Sequence, residues 1–320
     1  MRILVVGAGA VGGYFGGRLL QAKRDVTFLV RERRSAQLRQ SGLSIRSPTG
    51  DFDLPSPPTV QAGTLRQSFD LILLACKAND LDAAIESFTP AVGAHTAILP
   101  LLNGMRHLDA LDAKFDRATI LGGQCVISAT LGPEGTILHL NEIHRLAFGE
   151  RDGAPSVRAN AILAEFSSAR FDATLSDSIL QEMWEKWVFI ATAAGITCLM
   201  RATIGDIIAA NGPDLASTLL DECADIARSA GFAPREASLH RSRLMFTTAG
   251  SALTASMLRD IERGSPTEAE QILGDLLRRQ VSQSTRTSLL HVAHAHVKAY
   301  EGRRARELAE QSARKQRVPT

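Results

Sequence analysis

Two charged residues stand where helical spacing asks for apolar ones, and both have chemistry to offer. Between Ser178 and Ala194, apolar residues recur at Ile179, Met183, Trp187, Ile190 and Ala194, and one stripe runs Ile179, Met183, Lys186, Ile190. Lys186 therefore falls beside or within a buried helix face. A lysine that loses hydration there has a lowered pKa and gives up a proton more readily near neutral pH. The alternative is a stem lying along the apolar face with its ammonium in water, and periodicity alone favours it. Glu268 shares a stripe with Ile272 and Leu276, so it borders a core face. Ser265-Pro266-Thr267-Glu268 also reads as an S-x-x-E capping box with proline at the first helical position. In that reading Glu268 bonds back to the Ser265 N–H. Upstream, Ser256 and Asp260 are one helical turn apart and can present a hydroxyl and a carboxylate side by side.

The N-terminus carries a different chemistry. Met1 to Val6 is an apolar, β-branched run, Gly7-Ala8-Gly9-Ala10-Val11-Gly12 follows at once, and Gly13 to Gln21 is helix-like. Strand, glycine turn and helix in that order form the dinucleotide fingerprint. Gly7 takes the tight turn, Gly9 lets a pyrophosphate approach the backbone, and Gly12 lets helix and strand pack closely. A glycine-rich turn with no ligand is the competing reading.

The second strand, Asp25 to Val30, selects the dinucleotide. An NAD site usually ends this strand with Asp or Glu, which accepts from the ribose 2′-hydroxyl. Here it ends in Arg31, followed by Glu32, Arg33 and Arg34. A guanidinium pairs with a 2′-phosphate and a carboxylate repels one, so NADP(H) is the expected cofactor. The alternative keeps Glu32 as the ribose ligand within a solvated charge cluster. Two further strands, Phe69 to Cys76 and Thr96 to Leu102, end at Lys77 and at Asn103-Gly104. Ligands of open α/β sheets bind beyond the carboxyl ends of strands, which makes Lys77 and Asn103 candidate cofactor or substrate contacts. A surface lysine and a plain Asn-Gly turn are the equally simple readings.

These residues need elements to position them. Ser47 to Pro58 is polar and reads as loop or short strands; Ile120 to Glu150 reads as a hairpin or meander about Gly132-Pro133-Glu134-Gly135. A helix is expected over 156–169. From Ser178 onward the chain reads as almost wholly helical, broken at Asn211-Gly212-Pro213, Gly231 to Pro234 and Gly264-Ser265-Pro266. The expected architecture is an α/β Rossmann-type dinucleotide-binding domain over 1–176, followed by an all-α substrate and catalytic domain over 177–320. With 320 residues, 45% of them hydrophobic, the chain can build both. A net charge of +2 without a basic stripe argues against a nucleic-acid partner. Cys76, Cys125, Cys198 and Cys223 form no CxxC, which points to a reduced, cytoplasmic chain. The apolar start belongs to the fingerprint rather than to a signal peptide, and no apolar run is long enough for a membrane span. His291, His294 and His296 suit a solvated helix face, and no carboxylate partner stands out, so no metal is assigned. The oligomeric state stays open, with a homodimer among the states allowed.

Taken together the motifs resemble the ketopantoate reductase (2-dehydropantoate 2-reductase) family along nearly the whole chain. The resemblance rests on Gly7 to Gly12, Arg31, Cys76-Lys77-Ala78 and Leu102-Asn103-Gly104-Met105. The helical half adds Trp184-Glu185-Lys186, Ser256 to Asp260 and Thr267-Glu268. It implies a Rossmann domain plus a helical domain with the active site in the cleft between them. The implied reaction is NADPH-dependent reduction of a 2-oxo acid to a 2-hydroxy acid in pantothenate synthesis. By the same resemblance Lys186 is the general acid at the ketone oxygen, and Glu268 binds and orients the substrate. Asn103 meets both nicotinamide ribose and substrate, Lys77 the cofactor, and Ser256 the substrate carboxylate. Three places depart from the family pattern. Ile190, Ala194 and Ile204 stand where asparagines are expected, which points to a more apolar 2-oxo or 3-oxo acid as the alternative substrate. A catalytically silent NADP-binding sensor is the alternative of another class.

Overall fold

The structure is a computed structural model that describes residues 1–210, 212–281 and 288–316, the side chains of 312–316 excepted. Asn211, in the expected Asn211-Gly212-Pro213 loop, lies outside these residues. The chain divides into two compact units, Met1–Met183 and Trp184–Thr320. The expected break, after 176, stands just ahead of the helix in which this division falls.

The first unit opens with β1 (Arg2–Val6), α1 (Ala10–Gln21), β2 (Asp25–Leu29), α2 (Glu32–Ser41), β3 (Leu43–Arg46), β4 (Phe52–Leu54) and β5 (Thr59–Val60). It continues with β6 (Phe69–Leu74), α3 (Leu81–Phe88), β7 (Val92–Pro100), α4 (Arg106–Asp112), β8 (Gly122–Leu131), β9 (Ile137–Gly149), α5 (Val157–Phe166) and β10 (Asp172–Leu175). Strands β5-β2-β1-β6-β7 form one parallel sheet in that order. β1 and β6 are buried nearly throughout, as their unbroken apolar runs require of central parallel strands. β7 starts four residues before the expected Thr96 and stops at Pro100, before the expected Leu102. It is the sheet's outer strand by this order, where a proline's missing N–H is tolerated.

A second sheet, β10-β9-β3-β4 with β8 on β9, contains the expected hairpin. Its turn falls at the Gly-Pro-Glu-Gly signal, with Gly135 at φ 81°. Helix α1 packs against both sheets because it is thin. A Cβ on Gly16 would come within 2.6 Å of Phe28 in β2, and one on Gly17 within 2.8 Å of Ile45 in β3. The helix expected over 156–169 is α5, capped by the Ser156 hydroxyl, which accepts from the Ala159 N–H.

Helix α6 (Ile179–Met200) carries the chain into the second unit, with α7 (Ile204–Ala209), α8 (Pro213–Ser229), α9 (Glu236–Thr247), α10 (Ser256–Glu262), α11 (Asp275–Arg278) and α12 (Leu289–Gln316). Ala191 to Cys198 in α6 are buried on every side, so this stretch is the core of the unit. Thr192 and Thr197 survive there by donating their hydroxyls back to the Val188 and Ala193 carbonyls. Glu222 in α8 accepts from the Leu289 and Leu290 N–H groups and so caps α12 from outside. Among the described residues no helix is long and apolar enough to cross a membrane.

Candidate active site

The parallel sheet gathers the nucleotide-end candidates by topology. β1, β2, β6 and β7 run in one direction, so the segments that follow them emerge at one edge. Those segments carry Gly7, Arg31, Lys77 and Asn103. The strand order also reverses between β1 and β6, the switch point at which such sheets open for a ligand.

The glycine turn behaves as its spacing predicts. Gly7 adopts φ 96°, which lets the chain turn from β1 into α1. A Cβ on Gly12 would sit 2.1 Å from the Gly7 carbonyl oxygen, so only glycine allows this close packing. A Cβ on Gly9 would meet no atom within 4 Å. Gly9 is the N-cap of α1, and the first turn of α1 contains no acidic side chain. Open space before uncapped N–H groups, without a repelling carboxylate, fits a pyrophosphate. Ala8 is buried beside it, and Ala10 and Val11 begin the helix half-exposed.

The charged run after β2 divides its labour. Glu32 is held on both carboxylate oxygens, by Arg39 Nη2 at 3.0 Å and Gln61 Nε2 at 2.5 Å. The Gln61 and Arg39 hydrogen bonds hold its carboxyl below the ordinary range. Arg31 turns instead to Asp80, with Nη2 2.6 Å from Oδ1. Arg34 supports the glycine turn from behind, donating Nε to the Ala8 carbonyl at 3.0 Å and Nη2 to the Gly135 carbonyl at 3.1 Å. Burial lowers its pKa. This role had no signal in the sequence, where Arg31, Arg33 and Arg34 look alike. Lys77 is exposed at the start of the 3₁₀ turn Ala78–Asp80. Asn103 is half-buried, next to Gly104 at φ 76°.

In the helical unit, Lys186 is half-buried on α6 between two committed neighbours. Glu185 is only 7% exposed and accepts from Arg235 N, Nε and Nη2 at 2.9, 2.7 and 2.7 Å. Trp187 is fully buried and donates its indole N–H to the Ile272 carbonyl at 2.9 Å. Trp184 stacks on Phe232 with ring centroids 5.5 Å apart. The rotation of α6 about Lys186 is thereby fixed on both sides.

The capping box at Ser265 is not formed. The Ser265 N–H donates to the Asp260 carbonyl at 2.8 Å, and the helix opens later, at Ala269. Thr267 Oγ1 accepts from the Ala269 N–H at 3.2 Å and donates to Glu301 Oε1 at 2.5 Å. A proline and threonine pattern that suits a first turn is overridden by the tight return from α10. Glu268 thus precedes the helix, half-buried, and is not the third residue of a capped turn. The next five residues, Glu270–Gly274, form a π-helical turn, a distortion frequent at functional sites. Its Ile272 carbonyl is the one that Trp187 holds, so the segments bearing Lys186 and Glu268 are joined by a buried hydrogen bond. Nothing in the sequence announced that turn.

Ser256 and Asp260 do lie one turn apart on α10, Ser256 exposed at its first position. Ile190 is half-buried, Ala194 2% exposed and Ile204 fully buried. Cys198 and Cys223 are pushed up to about 12 by burial and carry no nucleophile. Of the three histidines on α12, His294 does have a carboxylate partner, contrary to expectation: its Nε2 is 3.3 Å from Glu270 Oε2. Among the described residues no group of three His, Cys, Asp or Glu side chains is placed to hold a metal.

Comparison with known proteins supplies the family. Residues 3–153 match the family model described as ketopantoate reductase PanE/ApbA, and residues 178–301 match its C-terminal counterpart. An uncharacterized oxidoreductase, YkpB of Bacillus subtilis (strain 168), is 37% identical over 302 residues, covering 94% of this chain and 99% of the relative. The crystal structure of 2-dehydropantoate 2-reductase from Geobacter metallireducens GS-15 superposes with a TM-score of 0.84 at 27% identity, covering 93% of this chain and 99% of that one. A D-mandelate dehydrogenase solved with NADH and anilino(oxo)acetate shares the fold, with a TM-score of 0.85 at 21% identity over 95% of this chain and all of the other. With both domain models matched and a glycine turn shaped for a pyrophosphate, the chain belongs to the ketopantoate reductase family of NAD(P)H-dependent oxidoreductases.

Proposed function

We propose that the chain reduces a 2-oxo acid to a 2-hydroxy acid with NADPH, and that the acid is 2-dehydropantoate, reduced to pantoate for pantothenate synthesis. Lys186 carries the reading. It is a proton donor half-buried on a helix whose rotation Glu185 and Trp187 fix. The dihydronicotinamide supplies a hydride to the ketone carbon when bound. Lys186 gives a proton from Nζ to the ketone oxygen as negative charge builds there, and regains it from water. Glu268 accepts a hydrogen bond from the substrate hydroxyl and orients it. Ser256 donates its hydroxyl to the substrate carboxylate.

Gly7 to Gly12, with Ala8, Ala10 and Val11 between, cradle the pyrophosphate through backbone N–H groups. Arg31 pairs with the 2′-phosphate, Lys77 adds a cation beside the cofactor, and Asn103 holds the nicotinamide ribose and touches the substrate. These are the cofactor and substrate ligands of the proposal, and it assigns no metal. The reaction needs no nucleic-acid or membrane partner.

A second reading has an observation of its own. Ile190, Ala194 and Ile204 offer no hydrogen bond where the family pattern expects asparagines, and two of them are buried. A lining that cannot pair a substrate hydroxyl loses its preference for the hydroxylated acid. That favours a more apolar 2-oxo acid, and it agrees with a D-mandelate dehydrogenase sharing the fold. The deciding experiment follows NADPH oxidation with 2-dehydropantoate, phenylglyoxylate and branched aliphatic 2-oxo acids. The highest kcat/KM with 2-dehydropantoate supports the first reading, and a lead of tenfold or more for an apolar acid supports the second, about 1.4 kcal/mol of transition-state binding. Tight NADPH binding with no turnover on any acid would mark a sensor instead.

A further inference from the structure

We propose that Asp80 sets how sharply this chain discriminates NADPH from NADH, by competing with the cofactor 2′-phosphate for the Arg31 guanidinium. The proposal rests on the reading of Arg31 as the 2′-phosphate ligand.

Arg31 stands between β2 and α2, where a Rossmann unit reads the adenosine ribose. Its Nη2 donates to Asp80 Oδ1 at 2.6 Å, and among the described residues its side chain makes no other hydrogen bond. Asp80 closes the 3₁₀ turn after Lys77 and directly precedes α3. Aspartate is a favoured helix cap, yet this one makes no cap hydrogen bond to α3. Its carboxylate turns across the sheet edge to a residue 49 positions away in the chain. Glu32, the nearer acid in sequence, is occupied on both oxygens by Arg39 and Gln61. Asp80 is therefore the carboxylate that Arg31 meets.

The consequence follows from charge. A 2′-phosphate is close to dianionic and seeks the same bidentate, charge-assisted bonds from a guanidinium that a carboxylate takes. A phosphate drawn to the guanidinium either displaces Asp80 from Nη2 or takes the remaining N–H groups with the Asp80 carboxylate beside it as a like charge, and both outcomes cost binding. NADH makes no such demand, because its 2′-hydroxyl leaves the pair intact and can donate to a carboxylate. Asp80 thus weakens NADPH while tolerating NADH, and so narrows the preference that Arg31 creates. Arg31 is 71% exposed and Asp80 43%, so water and salt screen the competition and limit it to tuning.

The test is calorimetric measurement of Kd for NADPH and for NADH in the unmodified protein, Asp80→Asn, Asp80→Ala, Arg31→Ala and the Arg31→Ala/Asp80→Asn double variant. Melting temperature checks folding, which two exposed positions should leave intact. Both Asp80 variants are expected to tighten NADPH about three- to tenfold while NADH stays within about twofold or weakens. The gain should shrink in high salt and vanish when Arg31 is already alanine. Unchanged or weaker NADPH binding in both Asp80 variants, with Arg31→Ala still costing NADPH affinity, would overturn the competition and leave the Arg31 reading standing. Arg31→Ala with unaltered NADPH affinity would overturn both.

Discussion

The nucleotide end of this molecule is made of backbone, and the helical end of side chains. At the first, the features that matter are a positive φ at Gly7, a Cβ that has no room at Gly12 and a Cβ with nothing before it at Gly9. At the second, under the proposed function, they are a lysine on a helix held through Glu185 and Trp187 and a glutamate ahead of a π-helical turn. A backbone site depends on a few obligatory residues in fixed order, so it tolerates change everywhere else. A side-chain site depends on packing from several segments, so it shifts its specificity as single residues change. Under the proposed function Ile190, Ala194 and Ile204 are such changes, and no comparable departure touches the glycine turn.

The comparison breaks first at Lys186. Lys186→Ala should lower kcat by about 10²–10⁴-fold, the usual worth of a positioned acid, while the Kd of NADPH stays unchanged. A folded variant with near-normal kcat would return Lys186 to a solvated stem and empty the helical end of its chemistry. The glycine pair gives the matching test at the other end. Gly12→Ala forces a Cβ against the Gly7 carbonyl, costs about 1–3 kcal/mol and should lower Tm. Gly9→Ala should lower Tm less than Gly12→Ala, since its Cβ meets no protein atom and the cost is that of alanine at an N-cap, and should weaken NADPH by roughly tenfold or more. Equal behaviour of the two variants in Tm and Kd would show that the turn is structural and not a cradle.

Much of this division was legible in the residues. The fingerprint, the two strands that lead toward Lys77 and Asn103, though they stop at Leu74 and Pro100, the hairpin about Gly132-Pro133-Glu134-Gly135 and the helical half all follow local rules of periodicity and turn chemistry, which short segments obey on their own. The outcomes that needed the fold depend on distant partners. Arg34 resembles Arg31 in sequence, yet one anchors Ala8 and the other meets Asp80. The capping box failed because the Ser265 N–H was already taken by Asp260, a tertiary demand that local preference does not register. The Glu270 partner of His294 was missed because they lie 24 residues apart.

Glu268 sharpens the comparison at the next level of effect. Glutamine keeps the side-chain oxygen and the length of glutamate and removes only the charge, so Glu268→Gln should leave Tm nearly fixed. Removing the carboxylate from the substrate should lower kcat/KM by about tenfold or more, the scale of one hydrogen bond to a charged group. A loss of Tm with normal kcat/KM would show that the carboxylate serves the fold instead.

Trp187 tests whether the helical end is positioned as well as populated. Its indole N–H reaches a carbonyl inside the π-helical turn, from the residue next to Lys186. Trp187→Phe keeps most of the buried ring and removes that donor. The orphaned Ile272 carbonyl should cost about 1–3 kcal/mol, read as a fall in Tm. A purely structural bond would do no more than that. If it also fixes Glu268 against Lys186, kcat should fall by roughly three- to tenfold at temperatures where the variant is fully folded, with the Kd of NADPH unmoved. A fall in Tm with kcat unchanged would confine the bond to stability and leave the two charged residues placed by their own segments.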